Sequence, residues 1–296
     1  MSPTVYLANP CRNDVTQRVL DWISSRLASG HRVASATVLN SKGSVPGKPG
    51  ARLALTGLDN RFGTIGGAGL ELKIIARLNE MLEAGESGGE VVTFGLNKGA
   101  KGYEVTPLDS LCGGQVTLSL EVVEPMPHVL LMGGGHVAAA IADVCIGLGW
   151  DHSVQDTRND YADDLAFPHA REHHANKVSE FFEDEDSQTI ARFSNILLLG
   201  HDWKEDEERL ISLLKIVDNG SNPQIGVIGS RSKWQAFTKK CLDDGIDQNT
   251  LNQIQCPIGL AIGAESPEEI AIAVVAEIIA NSKGVDPDQG SWRQSI

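Results

Sequence analysis

The sequence predicts an α/β protein in two parts, a mixed α/β domain followed by a doubly wound parallel-sheet domain. Three observations predict it. Residues 129–140 read VLLMGGGHVAAA, so that an apolar strand, a glycine turn and a helical start follow one another directly. Downstream of them, short apolar runs alternate with stretches of helical periodicity, as in a parallel sheet covered on both faces. Upstream the pattern is mixed, and Glu-Pro-Met-Pro at 124–127 interrupts any regular ladder or helix. The boundary therefore falls there, giving residues 1–124 to an N-terminal domain and 125–296 to a Rossmann-like one.

Each element has its own warrant. Val15, Val19, Trp22, Ile23 and Leu27 recur at helical spacing, and Gly30 stops that helix. Residues 33–39 and 52–55 are strands flanking the loop SKGSVPGKPGA at 41–51. A second helix starts near Gly67, with Leu70, Ile74, Ile75, Leu78, Met81 and Leu82 along one face, and strands follow at 90–94 and 116–123. In the second part, residues 128–132 form a fully apolar strand, 137–148 a helix and 152–155 a strand. Residues 196–199 are a buried strand, 206–217 a helix and 225–228 a further strand. The last helix has the clearest start: Ser266-Pro267-Glu268-Glu269 supplies an N-cap serine, a first-turn proline and a capping-box glutamate. Its buried face is Ile270, Val274, Val275, Ile278 and Ile279.

Composition narrows the function. Across 296 residues, 25 basic and 39 acidic side chains give a net charge of −14, which speaks against nucleic acid as a partner. Residues 1–124 carry 12 basic and 12 acidic side chains, so the excess lies wholly in the second part. The acidic runs at 183–186 and 205–208 read as solvated faces, with a docking surface for a basic protein as the sharper alternative. No apolar run approaches the ~20 residues of a membrane span, and residues 1–11 lack signal-peptide order, so a cytoplasmic protein without membrane contact is expected. The cysteines, Cys11, Cys112, Cys145, Cys241 and Cys256, form no CxxC pair and fit neither a disulfide framework nor a structural zinc site. A homo-oligomer is compatible with the sequence.

The chemistry-bearing residues fall in glycine-rich turns. Gly133, Gly135 and Ala138 occupy the G-x-G-x-x-G/A positions: the first permits the turn, the second lets a phosphate approach the backbone, the third lets helix and strand pack closely. Asp156 ends the next strand, where a carboxylate can accept ribose hydroxyls, and His136 heads the helix, either to reach a cofactor phosphate or simply as a capping or exposed residue. The same glycines also suit a doubly wound domain that binds nothing. In GTIGGAGLE at 63–71, Gly66, Gly67 and Glu71 resemble an anion cradle, or else a close-packed turn whose glutamate complements the helix dipole. Lys48 and Arg52 belong to a loop suited to phosphate or sulfate oxygens, with a solvated surface loop as the commoner alternative. Cys112, in LCGGQ, has the open surroundings of a thiolate nucleophile, a persulfide carrier or a soft-metal ligand, whereas Cys145 and Cys241 lie in helical patterns as core residues. His201 follows a buried strand on the ligand-bearing side of such sheets, and His173 and His174 read as exposed.

Together these segments resemble the XdhC/CoxI family of xanthine dehydrogenase accessory proteins. The resemblance runs through GSVPGKPGARLAL, GTIGGAGLE and CGGQVTLSLE, then LLMGGGHVAAA, Asp156-Thr157-Arg158, LLGHDWKEDEERL, IGVIGSRSKWQAF and CPIGLAIGAESPEEIAIAVVAEIIA. It implies a chaperone that binds molybdenum cofactor, in its molybdopterin or a dinucleotide form, assists its sulfuration with a cysteine desulfurase, and delivers it to a molybdenum hydroxylase of the xanthine dehydrogenase type. The family's glycine turn and glutamate fall on Gly66, Gly67 and Glu71, and its cysteine on Cys112, as a molybdenum ligand or sulfur relay. The chain departs from the pattern at Gly47, where an arginine is common, and at Gly200, where a threonine is usual. The rival class is an NAD(P)-dependent oxidoreductase using the Rossmann-like domain, and a third is a nucleotide-responsive scaffold.

Overall fold

Alternation of apolar side chains along the strands before Glu124 builds a sheet with two usable faces. In the computed structural model, which describes residues 10–85, 87–96, 105–107, 113–217 and 223–286, this sheet belongs to the first of two compact units that divide between Pro125 and Met126. Its strands are β1 (Val33–Lys42), β2 (Arg52–Gly57), β3 (Asn60–Thr64), β4 (Gly88–Gly95), β5 (Val105–Pro107) and β6 (Gln115–Val123), in the order β3-β2-β1-β6-β4-β5. All pairings are antiparallel except β4 with β5. Ala34, Ala36 and Val38, Leu53 and Leu55, and Val116, Leu118 and Leu120 form one face. Helix α2 (Ala68–Glu83) covers it with Leu70, Ile74, Ile75, Leu78 and Met81. Helix α1 (Pro10–Ala28) packs Val19, Trp22, Ile23 and Leu27 into a smaller cluster with Val33, Ala54 and Phe62. β1 runs past residue 39, across a register shift between Val38 and Asn40, because β6 pairs with it as far as Lys42↔Gln115.

The second unit is a Rossmann-like domain. β7 (His128–Met132), β8 (Asp151–Asp156), β9 (His173–Ala175), β10 (Asn195–Leu198) and β11 (Gln224–Val227) form a wholly parallel sheet in the order β11-β10-β7-β8-β9. Parallel strands need covered faces. Val129, Leu131, Val154 and Leu197 face α3 (His136–Leu148) and α8 (Pro267–Ser282), whereas Leu130, Met132, Ile196 and Leu198 face α4 (Val178–Glu183), α5 (Trp203–Ile216), α6 (Arg231–Asp243) and α7 (Gln248–Leu251). The strand order reverses between β7 and β10, so the crevice of such folds lies beyond their C-terminal ends. The capping box of α8 is formed, with Glu269 N donating to Ser266 Oγ and Ser266 N donating to the Glu269 carboxylate, both at 3.2 Å.

Several expectations are corrected. α5 starts at Trp203 rather than residue 206, because the Asp202 carboxylate accepts the Lys204 N–H at 2.8 Å and caps the helix earlier. The acidic runs are not simply solvated faces: Asp206 is fully buried between Arg209 and Lys233, and Glu185 is held by Arg192. His173 and His174 are half-buried on β9, with His173 Nε2 2.8 Å from the Phe167 carbonyl oxygen and His174 Nε2 3.0 Å from Glu172. No helix among the described residues is long and apolar enough to cross a membrane.

Candidate functional site

In the first unit, three glycine-bearing loops meet at one end of the sheet. A Cβ on Gly47 would overlap the Ile65 carbonyl oxygen, and one on Gly66 would press on the Pro46–Gly47 backbone. Gly66 is moreover held at φ 124°, a conformation that disfavours other residues. The position at which an arginine is common in the family therefore has no room for a side chain here. Gly114 closes the third side, since its Cβ would strike Lys42 O, Ser44 O and Val45 Cγ1. Gly114 also leads directly into β6, and its carbonyl accepts the Leu96 N–H at 2.8 Å. The loop 43–47 is thus packed by backbone contact against the turn 65–66 on one side and the chain at 113–114 on the other. Cys112 lies outside the described residues.

Glu71 occupies much of its own cradle. Its Oε2 accepts from Thr64 Oγ1 at 2.5 Å, Ile65 N at 3.1 Å and Gly67 N at 3.0 Å. The carboxylate thus does for this turn what a bound anion would do, and Oε1 accepts no hydrogen bond from the described residues. Gly67, the N-cap of α2, has open space where a Cβ would stand and receives no side-chain cap. Lys48 is exposed beside this junction, and the buried Nε of Arg52 makes no hydrogen bond among the described residues.

In the second unit the glycine loop spans β7 and α3. Gly133, at φ 111°, donates its N–H to Gln155 O at 2.7 Å and packs against the Gly200 backbone. Ala138 is fully buried beneath it. A Cβ on Gly134 would overlap the Tyr161 carbonyl oxygen, so the segment after β8 crosses the loop there. Gly135, by contrast, faces open space. It is the N-cap of α3, whose first turn carries neither a capping side chain nor an acid, and His136 is exposed beside it. An uncapped helix N-terminus with its N–H groups directed outward can receive a phosphate.

Asp156 does not stand free to receive ribose. Its Oδ1 accepts Arg158 N and Nε, both at 2.9 Å, and its Oδ2 accepts Gly134 N and Arg158 Nη2, both at 2.8 Å. Burial pushes this carboxyl up, but the bonds from Arg158 and Gly134 outweigh burial and hold it below the usual range. The Arg158 guanidinium lies over the Tyr161 ring, 3.6 Å from its centroid. Sequence reading gives neither of these two residues a role, although the Asp-x-Arg spacing at the strand end is the available signal.

A buried ionic cluster supports the crevice from the α5 side. Arg209 donates from Nε to Gln155 Oε1 and from Nη1 to Asp206 Oδ1, both at 3.0 Å, and Lys233 Nζ reaches Asp206 Oδ2 at 2.7 Å. Gly200 N donates to Asp206 Oδ1 at 3.2 Å, and any side chain on Gly200 would meet Asp206 and Arg209. The family's usual threonine is therefore excluded at this position by the pair beneath it. His201 is exposed after β10.

Of the described cysteines, Cys145 and Cys241 are buried, and burial pushes their thiols up to about 12 and about 11. Half-buried Cys256 is also raised, by burial. None has the environment of a reactive thiolate. No group of three or more His, Cys, Asp or Glu among the described residues is placed to hold a metal.

Comparison with known proteins agrees with this architecture. Residues 129–278 match the XdhC Rossmann domain, and residues 26–95 match the XdhC and CoxI family. The chain is 30% identical over 247 residues to the uncharacterized protein YqeB of Escherichia coli K12, covering 83% of this chain and 43% of that protein. It is 29% identical over 171 residues to a probable xanthine dehydrogenase subunit of Bacillus subtilis 168, covering 56% of this chain and 46% of the relative. The chain thus spans less than half the length of either relative. A crystal structure of a xanthine dehydrogenase from Bacillus halodurans aligns with 92% of this chain and 98% of its own, at 16% identity and a TM-score of 0.46.

Proposed function

Because this chain belongs to the XdhC/CoxI family, we propose that it is an accessory factor that carries molybdenum cofactor to a xanthine dehydrogenase-type molybdenum hydroxylase. The relative from Bacillus subtilis, which is named as a probable xanthine dehydrogenase component, supports the choice of client. The observation that carries the reading is the packing of the 43–47, 65–67 and 113–114 segments into one junction. Through the 43–47 loop, that packing links the proposed phosphate-facing turn at Gly66 to Gly113 and Gly114, the residues that follow Cys112 in sequence.

The residues present fit such a cargo. Gly67 leaves open space beside the turn at the start of α2, where a terminal phosphate would approach, and Lys48 and Arg52 supply positive charge to offset the Glu71 carboxylate that already takes the Ile65 and Gly67 N–H groups. Glu71 acts first as the anchor that holds the turn in shape. Cys112 is assigned to the metal or to sulfur relay, because a soft thiolate suits molybdenum and a sulfur-donating cysteine desulfurase needs an acceptor thiol. The second unit is assigned a nucleotide, held at Gly133, Gly135 and His136, either as a free NAD(P)-type ligand or as the nucleotide half of a dinucleotide cofactor. The oxidoreductase alternative gains no support from the family match.

Anaerobic incubation of the purified protein with molybdenum cofactor, followed by gel filtration and measurement of bound molybdenum and pterin, tests the proposal. Near-stoichiometric pterin and metal, with transfer to an apo-hydroxylase, is the expected result. Absence of both under reducing conditions overturns it. A Cys112→Ala protein that binds the cofactor and activates the client as well as the parent does would remove Cys112 from the mechanism.

A further inference from the structure

We propose that the nucleotide site of the second unit selects a nucleotide whose ribose carries a phosphate, and that Arg158 is the residue that reads it. The inference rests on the nucleotide assignment above and adds the ligand class.

The end of β8 is where a dinucleotide fold meets the ribose, and a free carboxylate there accepts the ribose hydroxyls. Asp156 occupies that place but has no acceptor capacity left. A carboxylate offers about four lone-pair sites, and here Arg158 N, Arg158 Nε, Gly134 N and Arg158 Nη2 fill them at 2.8–2.9 Å. The side chain is also only 2% exposed. An unphosphorylated ribose would meet a carboxylate already committed to its own chain.

Arg158 is what the protein presents instead. Its side chain is 35% exposed, and Nη1 makes no hydrogen bond among the described residues, while Nε and Nη2 are fixed on Asp156. One face of the guanidinium rests on Tyr161, itself held in place where the Tyr161 carbonyl crosses Gly134. The group is therefore preorganised: it can donate from Nη1 to a phosphate oxygen without giving up Asp156. A further acid that acts on Arg158 is Glu205. That carboxylate is engaged by Thr157 Oγ1 at 2.9 Å and by Arg209 at 3.5 Å. A second phosphate of the same ligand would find the uncapped N-terminus of α3 at Gly135, where no first-turn acid opposes it.

Calorimetric titration of the full chain with NADP+ and with NAD+, which differ only in the ribose 2′-phosphate, tests this. Binding of the phosphorylated form tighter by about tenfold or more is expected, the range of one charge-assisted bond. Arg158→Ala should abolish that preference and, by releasing Asp156, improve NAD+ binding. Tyr161→Leu, which removes only the stacking partner, should narrow the preference and serves if Arg158→Ala does not fold. Equal affinities, tighter NAD+ binding by the parent protein, or a preference that survives Arg158→Ala would overturn the inference while leaving nucleotide binding intact. If neither dinucleotide binds, the inference and the nucleotide assignment both fall.

Discussion

Replacing Arg209 with methionine tests whether the buried ionic cluster is a structural keystone of the second unit. Arg209 and Asp206 are both 0% exposed, and Arg209 is the donor that satisfies Gln155 Oε1, itself on a fully buried residue. Methionine fills similar space but removes both bonds. Asp206 then keeps Lys233 and the Gly200 N–H, while Gln155 loses the partner of its carbonyl oxygen. Breaking one side of a buried pair costs about 3–5 kcal/mol, and stranding a buried acceptor about 1–3 kcal/mol. The two overlap, and the methionine gains some burial, so a net loss of about 3–4 kcal/mol is expected. With a urea m-value of about 2 kcal/mol/M, the midpoint should fall by about 1.5–2 M. The assay is urea unfolding followed by far-ultraviolet circular dichroism. The Arg209→Met/Asp206→Leu/Lys233→Met triple variant should recover part of the loss, because an apolar replacement of all three partners strands no charge. A midpoint shift below about 0.5 M, or a triple variant that is worse by the full sum of the singles, would refute the reasoning.

Other outcomes follow from the same structure. His128, buried with Nε2 2.7 Å from Ser153 Oγ, is lowered by burial from 6.5 to about 4. The unfolded chain therefore takes up that proton first. Stability should be full above about pH 6.5 and fall toward pH 4, by about 3 kcal/mol at the limit. His152, lowered chiefly by burial, acts in the same direction. Thermal unfolding across that range should show the loss, and His128→Gln should flatten part of it; an unchanged profile would contradict the assignment. Glu71→Ala should cost about 2–3 kcal/mol, the worth of hydrogen bonds to a charged group, and should speed amide exchange at Ile65 and Gly67. Unchanged exchange there would exclude Glu71 as the anchor. Thiol titration of the native protein at pH 8 should leave Cys145 and Cys241 unreacted until denaturant is added, and labelling of either at the rate of a free thiol would contradict their burial.

The second unit is the more legible in sequence because its signals are local. A buried apolar run, a glycine turn and a periodic helix are neighbours in the chain, and β7 and α3 lie where 128–132 and 137–148 predict. Elements stabilised by distant partners are harder to read. β3 has the exposed, barely apolar sequence NRFGT and exists through its ladder with β2, while β9 is three residues completed by β8. The site is legible as a set of segments but not as a set of partners. Nothing in residues 63–71 shows that Glu71 turns back onto Ile65 and Gly67, and nothing around Asp156 shows that its charge is spent on Arg158. Composition likewise misreads 205–208, because an amphipathic helix can turn one acid of a run inward once a lysine 27 positions away supplies its counter-charge.

The two helix starts on the crevice of the second unit are unlike. α5 opens with its own Asp202 cap and with Glu205 and Asp206 in its first turn, whereas α3 opens on bare glycine. The row of strand ends between them consequently has an electrical polarity, attractive to anions at one helix and already answered at the other. For the nucleotide proposed above, this polarity would sort a charged end from a neutral one before any shape is matched, with the anionic end drawn toward β7. Introducing an acid at position 136, or removing Asp202, would change which way round it lies, a fault that an affinity measurement alone would miss.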